Sequence, residues 1–145
     1  MRLRQASASS GAVCVLVFET GEMLPDGLLS FARLHRVGAA EVQGIGAFAS
    51  ATVGYFDAAT HDYVKIPVAE QVEVLGLSGN ISTFEGGPRV HVHVLLGRRD
   101  GTVLGGHLIE ARVHPTLEIF ARVLSFPIER RKDEASGLPL IDLGT

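Results

Sequence analysis

The hydrophobic positions of this chain follow a helical period over residues 28–35 and a period of two through much of the remaining sequence. Residues 12–18 form a short continuous apolar run, which predicts a buried strand. Residues 19–24 read as a loop. Pro25, Asp26 and Gly27 then open a helix with Asp26 as its N-cap. Leu28, Phe31, Ala32, Leu34 and His35 form its apolar stripe, and Gly38 ends it. From residue 39 onward the chain predicts strands: 41–56, 63–68, 71–81, 89–96 and 102–114, with a turn at 57–60. The segment 116–125 fits either a strand or a helix. The charged run 129–134 reads as a solvated turn, and residues 137–143 bring an apolar tail back to the body or to a neighbouring subunit. Residues 1–10, rich in Ser and Ala, read as frayed. One strand, one helix and then many strands predict a single α+β domain over residues 11–145. Its sheet is mainly antiparallel, with the helix of the N-terminal half packed on it.

The alternation is clearest in Arg89-Val90-His91-Val92-His93-Val94-Leu95-Leu96. Side chains at i and i+2 share a face of a strand, so Arg89, His91 and His93 point one way and Val90, Val92, Val94 and Leu96 the other. The next strand carries His107, and the turn between them sets the register. A two-residue turn at Asp100-Gly101 would put His107 opposite Val94, on the core face. A three-residue loop, Arg99-Asp100-Gly101, pairs Arg98 with Thr102 and places His107 opposite His93. Glycine suits the left-handed third position of such a loop, and the apolar faces then match as well. The three-residue loop is therefore the predicted one. Three imidazoles on one face form the ligand set of an open zinc site, able to polarise a carbonyl or activate water. Gly105 and Gly106 would leave a ligand room to approach, and Arg89 would bind its carboxylate. The alternative is a set of surface or interface histidines with ordinary hydrogen-bond partners.

Composition narrows the choice of function. The 145 residues suit one domain. The hydrophobic share of 46% and mean hydropathy of +0.27 fit either a subunit interface or a well-filled β core. A net charge of −3 and a pI near 6.0 supply no basic stripe for duplex DNA. The single cysteine, Cys14, lies in an apolar run and reads as a small buried hydrophobe, which suits a reducing cytoplasm. The basic start and the run at 13–18 lack the spacing of a signal peptide. No apolar run approaches the ~18 residues of a membrane span. Gly44-Ile45-Gly46 lacks the phosphate-loop pattern and reads as a bend or bulge. His35 and His61 read as structural or solvated, and His114 as structural or a distant fourth ligand. Glu22, Glu73 and Glu118 lie nearest apolar segments, but no spacing selects one as an acid or base.

Several pieces together resemble a known family. They are Thr20-Gly21-Glu22, Gly44 to Phe48, Glu73 to Ile81, Val90 to Val94, Gly105 to Leu108, Glu129 to Asp133 and Gly137 to Asp142. In this order and spacing the chain resembles the stand-alone prokaryotic form of the plants and prokaryotes conserved (PPC) domain. The resemblance implies an α+β homotrimer and a metal, usually taken as zinc, on His91, His93 and His107. It also implies a fold similar to that of acetolactate decarboxylase. It brings a DNA-binding label, although the AT-hook with an Arg-Gly-Arg-Pro core found in plant members is missing here. Two functions follow as expectations. One is a DNA-associated or regulatory module. The other is a metal-dependent enzyme, lyase-, decarboxylase- or hydrolase-like, acting on a small carbonyl or carboxylate compound.

Overall fold

The alternation beyond residue 39 is realised as long, bent antiparallel strands. The computed structural model describes residues 1–8 and 11–144. Strands β1 (Arg2–Ala8), β2 (Gly11–Glu19) and β3 (Met23–Leu24) precede helix α1 (Asp26–Leu34). Then come β4 (Ala40–Asp57), β5 (Asp62–Val68), β6 (Val72–Phe84), β7 (Gly87–Gly97), β8 (Val103–Val123), β9 (Glu129–Lys132) and β10 (Pro139–Asp142). β4 pairs with β6 and β8, β6 with β7, and β7 with β8, so these four strands close on one another. β2 extends the sheet from β8, β1 from β2, and β5 from β4. The pairings are antiparallel apart from the junction of β6 with β9 at Thr83 and Glu129. The α+β expectation holds.

Bulges bend the two longest strands. The β4–β6 register shifts between Gly44 and Gly46, in keeping with the bulge expected there. A Cβ on Gly46 would sit 2.3 Å from the Thr116 carbonyl oxygen, so glycine lets β4 and β8 meet at this point. The segment 116–125 resolves as strand through Val123: Leu117, Ile119 and Ala121 are buried while Glu118, Phe120 and Arg122 are exposed. One core gathers Leu16 and Phe18 of β2, Leu28 and Phe31 of α1, Phe48 of β4, Leu77 and Ile81 of β6, and Val92, Val94 and Leu96 of β7. Each such side chain contributes roughly 1.5–3 kcal/mol on burial. Cys14 belongs to this core, and burial raises its thiol pKa, as befits an inert hydrophobe.

Four expectations are corrected. Pro25, not Asp26, is the helix N-cap, and no side chain caps it; Asp26 lies in the first turn, where its charge favours the helix dipole. The helix ends at Leu34, which is 75% exposed and outside the buried stripe. Arg36 (φ 53), rather than Gly38, takes the left-handed position. There the Arg36 and Val37 N–H groups bond back to Arg33 and Ala32 and satisfy the last carbonyls. Residues 2–8 are not frayed but pair along β2, with Arg2 2.9 Å from Glu19 and the amino terminus joined to Glu22. Residues 9 and 10 of that expectation lie outside the described residues. The charged run at 129–134 is mostly strand, because Asp133 and Gly137 (φ +73) turn the chain and let β10 pair with β9. The Asp133 carboxylate accepts the Ser136 N–H at 2.8 Å and its hydroxyl at 2.6 Å, which holds that carboxyl below its usual pKa. No helix among the described residues is long and apolar enough to cross a membrane.

Candidate metal centre

Turn chemistry positions the histidines. The Arg98 N–H bonds to the Thr102 carbonyl at 2.8 Å, and Gly101 adopts φ +84. The Asp100 carboxylate accepts the Thr102 N–H at 2.9 Å and its hydroxyl at 2.7 Å. These bonds define the three-residue loop. The ladder then runs from Gly97–Val103 to His93–His107, with Val94 opposite Gly106. Val92, Val94 and Leu96 face the core, while His93 is exposed and His91 half-buried on the opposite face. Gly105 and Gly106 serve a different purpose from the one expected. A Cβ at Gly105 would lie 2.4 Å from the Val94 carbonyl oxygen, and one at Gly106 would lie 2.7 Å from that of Gly54. They permit close strand approach rather than ligand access.

The three rings form a nearly equilateral group. Their centroids are 5.1 Å apart for His91 and His93, 5.2 Å for His91 and His107, and 5.5 Å for His93 and His107. One ring nitrogen from each lies within 4.8 Å of the others. The Nε2 atoms of His91 and His93 are 3.2 Å apart. Tyr63 of β5 stacks on His107 at 4.8 Å and braces its ring. His107 Nδ1 is buried without a hydrogen-bond partner among the described residues. Burial, followed by the charges of His91, His93 and Arg89, lowers the His107 pKa to about 4. Burial, then Arg130, His93 and Arg89, also lowers that of His91. At neutral pH both rings are therefore uncharged and keep a lone pair to donate.

Arg89 lines a cleft with His91 and His107, in agreement with its predicted face. The other candidates lie elsewhere. His114 Nδ1 meets the Thr20 hydroxyl at 3.2 Å, His35 packs against Phe31, and His61 occupies the 58–61 turn with φ 54. Glu22 accepts the Glu19 N–H at 2.8 Å, and the exposed Glu73 and Glu118 flank other strand pairs. Sequence reasoning did not find Arg130, which the β9–β10 hairpin carries to the cleft. Its guanidinium donates to Ser82 Oγ at 2.7 Å, the Pro139 carbonyl at 2.7 Å and Asn80 Oδ1 at 2.9 Å. The available signal was indirect: Asn80 and Ser82 alternate on β6, opposite His91 and Arg89.

The chain matches the family model of the Plants and Prokaryotes Conserved (PCC) domain over residues 5–125. Its fold is similar to a plant- and prokaryote-conserved (PPC) protein of Pyrococcus horikoshii, with TM-score 0.85, 30% identity and coverage of 99% of this chain and 96% of that one. It is also similar to a metal-containing protein of Archaeoglobus fulgidus, with TM-score 0.83, 35% identity and coverage of 97% and 98%. A candidate DNA-binding protein of Bacteroides thetaiotaomicron gives TM-score 0.86, 25% identity and coverage of 97% and 96%. The fold likeness extends to a Staphylococcus aureus protein described as similar to α-acetolactate decarboxylase. There the TM-score is 0.53, the identity 13% and the coverage 77% and 52%, a likeness of fold alone. No curated protein matches the chain.

Proposed function

The chain belongs to the plants and prokaryotes conserved domain family, and on that premise we propose that His91, His93 and His107 hold one divalent ion, zinc, whose open position takes a small carbonyl or carboxylate compound. The convergence of three ring nitrogens within 4.8 Å carries this reading. Two nitrogens bound to tetrahedral zinc at about 2.05 Å would be about 3.3 Å apart. The 3.2 Å between the His91 and His93 Nε2 atoms is close to that value. The unpartnered His107 nitrogen and the neutral His91 and His107 rings also suit the group. The metal-containing description of the Archaeoglobus relative adds support. A bound zinc would supply Lewis acidity toward a carbonyl or a water. The chain itself fixes the three imidazoles on β7 and β8, braces one with Tyr63 and lines the same cleft with Arg89, which would meet the charge of an anionic ligand. This favours a metal-dependent cytoplasmic enzyme, lyase-, decarboxylase- or hydrolase-like.

A DNA-associated regulatory module is the second reading, favoured by the description of the Bacteroides relative. The net charge of −3 makes it the weaker one. A steep salt-dependent shift of duplex DNA would support it, and no binding at low salt would count against it. Metal analysis of protein purified without a histidine tag tests the first reading. About one zinc per chain, a thermal midpoint lowered by chelator, and loss of zinc in His93→Ala are the expected results. No bound metal and no response to chelator would overturn it.

A further inference from the structure

Arg130 is a half-buried cation among neutral partners. Its hydrogen bonds go to a hydroxyl, an amide oxygen and a backbone carbonyl, with a longer contact of 3.5 Å to His91 Nδ1. Ser82, which receives one of them, is 0% exposed, so the guanidinium is held on an internal anchor rather than a surface side chain. Neither Arg130 nor Arg89 forms an ion pair among the described residues. The cleft they share is lined by Tyr63, Val90, His91, His107 and the hairpin residues Leu138 to Leu140, with no carboxylate. Arginine does not shed its charge at any ordinary pH, and a buried charge requires a counter-charge to offset its desolvation. Three of the five guanidinium N–H donors are engaged by oxygen acceptors and a fourth lies 3.5 Å from His91 Nδ1, which leaves one free for a ligand beside those that Arg89 offers.

We propose that the cleft between β7 and the β9–β10 hairpin is a carboxylate subsite, with Arg130 as its inner anchor and Arg89 as its outer one. The proposal deepens, and rests on, the reading of the adjoining histidine group as a ligand site. The cavity, at about 50 Å³, limits the ligand to a few heavy atoms. Leu138 and Leu140 give it an apolar wall. A short monocarboxylate of about two or three carbons meets both conditions: its head pairs with guanidinium groups, and its carbon chain meets the Leu138 and Leu140 wall, which inorganic phosphate has no apolar part to contact. Its carboxylate lies toward Arg130 and Arg89, and the rest of the molecule lies toward the histidines.

Calorimetric titration of the full chain with pyruvate, acetate and inorganic phosphate tests this, with zinc loaded and after chelation. The variants are Arg130→Gln, Arg130→Lys and Arg89→Gln, with zinc content measured for each. Saturable pyruvate binding is expected, weakened roughly tenfold or more in Arg130→Gln and several-fold in Arg89→Gln, at unchanged zinc content. Because Arg130 also ties the hairpin to β6, Arg130→Gln counts only where it is folded. Arg130→Lys and the exposed Arg89→Gln decide the matter otherwise, and both are expected to weaken binding. Arginine-dependent pyruvate binding in a chain that takes up no zinc would uphold the subsite and reject the metal. Pyruvate binding that is absent from the wild type, unchanged in the folded variants, or weaker than phosphate binding would overturn the proposal.

Discussion

His107 folds as a neutral imidazole because burial and the neighbouring cations oppose its protonation, which places its pKa at about 4 against an ordinary value of 6.5. Between those values the unfolded chain takes up a proton that the folded chain refuses, so folding stability is lost as pH falls through this window. Metal-free protein should therefore show denaturant midpoints that drop from pH 6.5 toward pH 4, and His107→Gln should flatten that slope. Equal slopes in the two proteins would contradict the assignment. The identity of this residue and its partner was legible in the sequence because turn chemistry fixes a register and register fixes a face. Arg130 was not legible. Its role arises from Asn80 and Ser82 on β6 and from Pro139 on β10, two segments remote in sequence that meet only when the hairpin returns to β6.

Among the elements, the β6–β7 pair holds the histidine strand in place. A Cβ on Gly79 would lie 2.0 Å from the His91 carbonyl oxygen, a backbone atom that cannot swing aside. Gly79→Ala should cost about 1–3 kcal/mol in urea unfolding and loosen metal retention. Gly76→Ala, with nothing within 4 Å, should cost far less. Equal effects would mean that close approach at Gly79 is unimportant. The strands were largely visible from period two, including the apolar face of β7. The fate of residues 116–125 was not, because the register shifts along β4 and β8 that keep Leu117 and Ile119 inward depend on their pairing. The β9–β10 hairpin was hidden by its charges: Arg131 and Asp142 pair diagonally across it at 2.8 Å, a contact invisible along the chain, where the charged run looks like a solvated turn.

At the scale of the whole molecule, Ile45, Leu75, Leu95 and Phe120 are exposed on the neighbouring strands β4, β6, β7 and β8. This stripe accounts for part of the high apolar fraction and fits the homotrimer that the family resemblance implies. Sedimentation should give a trimer for the wild type and smaller species for Leu95→Glu or Phe120→Glu, while a wild-type monomer would contradict it. The sequence hinted at such a surface through composition but could not locate it, since Leu95 and Phe120 alternate with buried residues and Ile45 and Leu75 lie at irregular points of their strands.

The central claim is that one ion sits on His91, His93 and His107, and X-ray absorption at the zinc edge of zinc-loaded protein tests it most directly. Three imidazole ligands per zinc, with nitrogens at about 2.0–2.1 Å and one further light ligand, are the predicted result. A spectrum with one imidazole or none would contradict the account.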